Sequence, residues 1–143
     1  MTHSRDNRAQ RVERLAGISS VRAGAGGADW GGAAYALGIS AETVGSTTLS
    51  MNVARLPPGG QVAAHIHEGY EVGLHVIQGQ LEHRFGPGLR ERVINGPGDF
   101  IFVAPGVPHV ARNLSATEPV VVVVARTTPH DWEQARPYEA AVQ

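Results

Sequence analysis

From Ile18 onward, glycine and proline recur so often that no long helix fits between them. The chain holds 18 Gly and 9 Pro in 143 residues. The strongest breaks are Pro57-Pro58-Gly59-Gly60, Gly79, Gly86-Pro87-Gly88, Asn95-Gly96-Pro97-Gly98 and Pro105-Gly106. The segments between them are short and rich in Val, Ile, Leu and Thr. This pattern predicts strands over 18–22, 33–37, 47–56, 61–67, 71–78, 80–85, 90–94, 100–103, 109–113 and 120–127. Gln78-Gly79-Gln80 reads as a hairpin turn. Val120 to Val124 is apolar on both faces and fits a strand between two layers. Regularly spaced short strands mean an all-β sandwich or barrel.

The ends differ from the middle. Residues 1–16 are polar and Arg-rich, and are expected to form a flexible arm, either a loose helix or an unfolded segment. The barrel is expected over 17–128, followed by a polar tail over 129–143. In that tail, Asp131 could cap a helical turn at Trp132–Arg136. The net charge of -1 advertises no basic face for nucleic acid. There is no cysteine, which excludes a disulfide framework, a thiolate metal site and a Cys nucleophile. No apolar stretch suits a membrane helix, and no apolar signal core opens the chain. The expectation is a cytoplasmic protein. Its basic residues are all Arg, as a GC-rich bacterial genome would give.

Chemistry concentrates in four residues. His65 and His67 are two apart on a predicted strand, so both face one side. Glu71 opens the next strand, and His109 follows Gly106-Val107-Pro108. A carboxylate and a third imidazole from other strands can close around the point that the His pair faces. Such a set suits zinc, iron, manganese, nickel or copper, with geometry rather than affinity choosing among them. The His pair alone is a weak signal, because histidine is common on surfaces.

Two longer motifs carry a resemblance. The segment from Gly59 through His65-Ile66-His67 to Glu71 resembles the first cupin motif. The segment from Gly98-Asp99 through Pro105-Gly106 to His109 and Asn113 resembles the second. The likeness spans about residues 49–126 and is similar above all to small single-domain bacterial RmlC-like cupins of unassigned function. It implies a small double-stranded β-helix (jelly-roll) barrel. It also implies one divalent metal ion held by His65, His67, Glu71 and His109. Asn113 is expected to stabilise a turn through side-chain hydrogen bonds. Two spacings depart from the pattern. Counting back from Gly79 puts Val72 in the Glu slot, whereas counting forward from His67 puts Glu71 there, and a bulge would reconcile the counts. Ala104 also stands where the second motif has proline.

His75 shares the parity of Glu71, so it is a candidate proton shuttle, with a satisfied core histidine as the alternative. Glu68 and Tyr70 are expected in solvent, but either could reach the metal if Glu71 does not. Polar alternation in Glu82-His83-Arg84 predicts a His83 that is exposed or at an interface. Phe85, Phe100, Phe102, Leu49 and Met51 are expected in the core or the pocket wall. Arg55, Arg84 and Arg112 are expected to point outward. The resemblance implies a metal-dependent enzyme, a dioxygenase or a cyclase or isomerase, acting on a small-molecule substrate. Glu71 would then be an anionic ligand or a displaced base. A non-catalytic binding module is the alternative. The resemblance also implies a homodimer in which an N-terminal strand, here Ile18–Arg22, crosses to the partner.

Overall fold

The computed structural model describes residues 12–130 and 135–139. In chain order the strands are β1 (Val12–Arg14), β2 (Ser19–Val21), β3 (Gly27–Trp30), β4 (Ala33–Ile39), β5 (Ser50–Leu56), β6 (Gln61–His67) and β7 (Val72–Gln78). They continue with β8 (Leu81–Phe85), β9 (Glu91–Asn95), β10 (Phe100–Val103), β11 (His109–Asn113), β12 (Val120–Arg126) and β13 (Ala135–Pro137). One short helix, α1 (Ala41–Val44), and a 3-10 turn at Pro87–Leu89 interrupt them. Helix α1 is stabilised by a capping box between Ser40 and Thr43 and ends at Gly45 in the left-handed conformation.

The strands form a six-stranded sheet, ordered β10-β7-β12-β5-β4-β3, and a five-stranded sheet, ordered β13-β6-β11-β8-β9. All pairings are antiparallel. The core lies between the sheets, as the expected all-β jelly-roll barrel requires. Along β5 every second residue is buried, and along β12 buried and half-buried residues alternate. Val72 and Val76 of β7, Leu81 of β8 and Val120, Val122 and Val124 of β12 meet there with Tyr35 and Leu56. Burying one such Val or Leu side chain contributes about 1.5–3 kcal/mol.

Gly79 makes the tight β7–β8 turn at φ 90°, and a Cβ there would come within 2.7 Å of the Pro119 carbonyl oxygen. Asn113 ties two distant loops to the end of β11. Its Nδ2 donates to the carbonyls of Glu118 at 2.8 Å, Pro57 at 3.0 Å and Leu56 at 3.3 Å. Its Oδ1 accepts from Ser115 N at 2.9 Å.

Several sequence expectations change. Part of the expected flexible arm is strand, because Val12–Arg14 pairs with Ser19–Val21. Glu13 is buried and pairs with Arg22 at 3.2 Å. Of the helical turn expected over 132–136, Ala135 and Arg136 are strand, in β13, which pairs with β6, and Glu133 and Gln134 lie outside the described residues. Asp131 and Trp132 lie outside the described residues. Strand β3 was hidden by Gly26-Gly27, since glycine has low strand propensity. Strand β4 still draws it into the sheet, where a Cβ on Gly27 would meet the Tyr35 carbonyl oxygen at 2.3 Å. Phe100, 79% exposed, and Leu49 and Met51 are not core, whereas Phe102, also exposed, lines a cleft as a wall residue.

Replacing Asn113 by Ala removes the bonds that hold these loops and strands buried carbonyls. We expect about 3 kcal/mol of destabilisation by urea unfolding, with the midpoint falling and the slope unchanged.

Candidate metal centre

Strand β6 carries two of the histidines, and a bulge sets their direction. Along β11 the register runs His109↔His65 and then Ala111↔Val62, so β6 carries one extra residue in that interval. Val62 and His65 are three apart, yet both line the barrel interior. His67, two further on, faces the same way. Strand β13 covers the outer edge of β6 and pairs with both histidine positions.

His65, His67 and His109 come together inside the barrel. Their ligand atoms lie within 4.8 Å of one another. Ring centroids are 4.7 Å apart for His65–His67, 4.3 Å for His65–His109 and 4.8 Å for His67–His109. All three are buried, at 6%, 7% and 4% exposure. His65 Nδ1–H donates to the Ala63 carbonyl at 2.6 Å, and His109 Nδ1–H donates to the Val107 carbonyl at 2.9 Å. Each bond fixes the tautomer and leaves Nε2 with a free lone pair. His67 Nδ1 is buried with no hydrogen-bond partner among the described residues. Trp30 packs edge-on against His65 at 5.0 Å, and Tyr70 lies beside His67 at 5.1 Å.

Burial keeps these imidazoles neutral. It pushes His65 down to about 4 and His67 down to about 3, with the neighbouring histidines adding to the effect. His109 is lowered by burial against a smaller opposing pull from its carbonyl bond. Neutral imidazole is the form that ligates a metal. The three-nitrogen donor set fits a divalent cation such as zinc, iron, manganese, nickel or copper.

Glu71 does not join them. Along β7 the apolar residues Val72, Leu74 and Val76 take the inward parity, which sends His75 to the other face, and Glu71 lies just before the strand. Glu71 is exposed, and its backbone N–H donates to Thr127 Oγ1 at 2.9 Å. The count back from Gly79 thus describes the fold, and Val72 occupies the inward position. His75 shares the parity of Glu71 as expected, but that parity faces outward, where its ring stacks on Phe100 at 4.2 Å. Glu68 is exposed and pairs with Arg136 at 2.8 Å. Tyr70 is buried rather than solvated.

Two further residues enter the barrel that the sequence reading did not place there. His83 is 5% exposed, not on the surface. It lies 6.1 Å from His109 between ring centroids, and burial lowers it to about 4. Its inward parity was available from Leu81 and Phe85 on the same strand. The polar residue beside it, Glu82, is buried on the opposite face against Arg92 and Arg84. Arg126, at the end of β12, lines the cavity with the histidines. Its Nη1 donates to Asn52 Oδ1 at 3.1 Å, and its guanidinium lies 5.8 Å from the Tyr35 ring centre. The alternation of buried Val120, Val122 and Val124 was the signal for it.

The family model for the cupin domain matches residues 52–133, and the chain belongs to the cupin family. None of the curated proteins matches it. Among solved structures it is similar to the cupin domain of Schizosaccharomyces pombe Cnp3, at 14% identity and a TM-score of 0.58, covering 67% of this chain and 64% of that one. It is also similar to an oxalate decarboxylase from Lactobacillus farciminis, at 16% identity and 0.67, covering 78% of this chain but 33% of that one. A third is a Klebsiella pneumoniae protein with a double-stranded β-helix domain, at 27% identity and 0.53, covering 59% and 67%. The chain therefore spans less than two thirds of the first two.

Two outcomes follow from this geometry. His109→Ala should weaken metal binding at least about a hundredfold, while Glu71→Gln should leave it unchanged, as competition with a chelating dye would show. The metal-free protein should lose stability as pH falls from about 6.5 towards 4. In that window the unfolded chain binds protons that buried His65 and His83 do not. Each such histidine contributes a slope of up to about 1.4 kcal/mol per pH unit, measurable by urea unfolding at each pH.

Proposed function

We propose that this cupin is an enzyme that uses one divalent metal ion, held by His65, His67 and His109, to act on a small organic molecule. The observation that carries the reading is the set of three buried, neutral imidazoles, two of them fixed by carbonyl bonds with Nε2 left for a ligand. Nothing in a purely structural barrel calls for three polar rings inside an apolar core, where an unsatisfied nitrogen is costly. When bound, the ion would supply Lewis-acid chemistry or, if redox-active, oxygen chemistry.

The chain's own residues do the rest. Apolar walls from Val62, Leu74, Val103 and Val122 exclude water from the donor set. Among the described residues the donor set is neutral, because Glu71 lies outside it. Arg126 places positive charge in the same cavity. That supports a substrate group that is anionic or becomes so during reaction.

Elemental analysis of the purified protein tests the reading. We expect about one equivalent of a transition metal, lost in His67→Ala while circular dichroism stays unchanged. A folded protein that takes up no metal when it is offered would overturn the proposal.

A further inference from the structure

The barrel interior holds a small space of about 60 Å³ beside the three histidines. A second cavity, of about 250 Å³, lies where the two sheets part, between the edge strands β9 and β10. Phe85, Val93, Ile101, Phe102, Ala104 and Val107 wall it, and every one is apolar. Its inner end reaches His83 and His109, which also line the barrel interior. The cleft therefore runs from solvent to the metal centre through the side of the barrel.

His83 marks where a ligand's polar group would sit. It is 5% exposed, and its Nδ1 has no hydrogen-bond partner among the described residues. Buried polar atoms are nearly always bonded, so an incompletely bonded imidazole lining an apolar cleft points to a ligand or an ordered water that bonds the ring. A neutral imidazole offers one donor and one acceptor, which suits a hydroxyl or a carbonyl.

Size narrows the class. An apolar cavity of about 150 Å³ accepts benzene. By proportion, the cleft of about 250 Å³ holds a molecule of about ten non-hydrogen atoms. Apolar walls disfavour a small dianion, which would lose its hydration without gaining partners.

We infer that the cleft between β9 and β10 is the substrate site, and that it takes a monocyclic, largely apolar molecule whose single hydroxyl or carbonyl group reaches His83. The inference rests on the metal-centre reading for what happens to that molecule, but the cleft itself is built from protein alone. It also separates this chain from the oxalate enzymes that share its fold.

The test uses the full chain, metal-loaded and chelator-stripped, titrated with phenol, toluene and oxalate by ligand-observed NMR. Val93 faces His83 across β8 and β9, and Ile94, its neighbour on the same strand, faces the other side of the sheet opposite Glu82. Val93→Trp fills the cleft, and Ile94→Trp is its control, because both positions are exposed enough to accept a large ring.

We expect phenol to bind more tightly than toluene or oxalate. Val93→Trp should weaken phenol at least tenfold, and Ile94→Trp should not. His83→Phe should bring phenol down to the level of toluene. Equal phenol binding in Val93→Trp and the unaltered chain, no phenol binding at all, or a preference for oxalate would each overturn the inference. If the chain binds phenol as expected but takes up no metal, the cleft stands and the metal reading fails. If metal binds and phenol does not, the reverse holds.

Discussion

The pairing of His65 on β6 with His109 on β11 is the contact on which the site depends. These two residues are far apart in the chain and become neighbours only through antiparallel pairing of their strands. The bulge beside them lets Val62 and His65 face inward together despite their odd spacing. Without the extra residue, strand alternation would send one of them to the outer face. The carbonyls of Ala63 and Val107 then hold the two rings by Nδ1. Backbone geometry thus sets ring orientation before any ion is present.

Neutrality follows from the same placement. The rings sit among valines and leucines, so a charged imidazole would lose its hydration with no carboxylate among the described cavity-lining residues to compensate. Among the described residues, the lack of an inward acid beside the histidines goes with the parity of β7. Its apolar residues Val72, Leu74 and Val76 take the core positions, the alternation of the strand carries His75 out, and Glu71, just before the strand, is exposed. A site with three neutral donors and a nearby guanidinium is electrically unlike one with a fourth, anionic ligand.

The fold also explains why the barrel opens on one side. The ends of the two sheets, β9 and β10, do not pair with each other. The gap between them exposes an apolar wall and leads inward to His83 and His109. Strand β10 contributes to two surfaces at once. Ile101 and Val103 face the cleft and core, while Phe100 stacks on His75 on the outer face of the sheet.

Much of this was legible in the chain itself. Gly and Pro breaks marked β6, β10 and β11 to the residue, and most other strands within one or two positions. Two-residue spacing put His65 and His67 on one face, and the turn before His109 placed the third ring. What the sequence could not decide was which face of a strand turns inward when its two faces are both mixed. Glu71 and His75 share one parity of β7, and Leu81 and His83 share one parity of β8, but alternation gives only the pairing of residues and not the choice of side. That choice is made by the summed burial of apolar groups against strands from distant parts of the chain. It turned Glu71 and His75 outward and brought His83 and Arg126 in. Local pattern fixes parity because it is a property of one strand. The direction of that parity, and the cleft between unpaired edges, exist only once the sheets have packed.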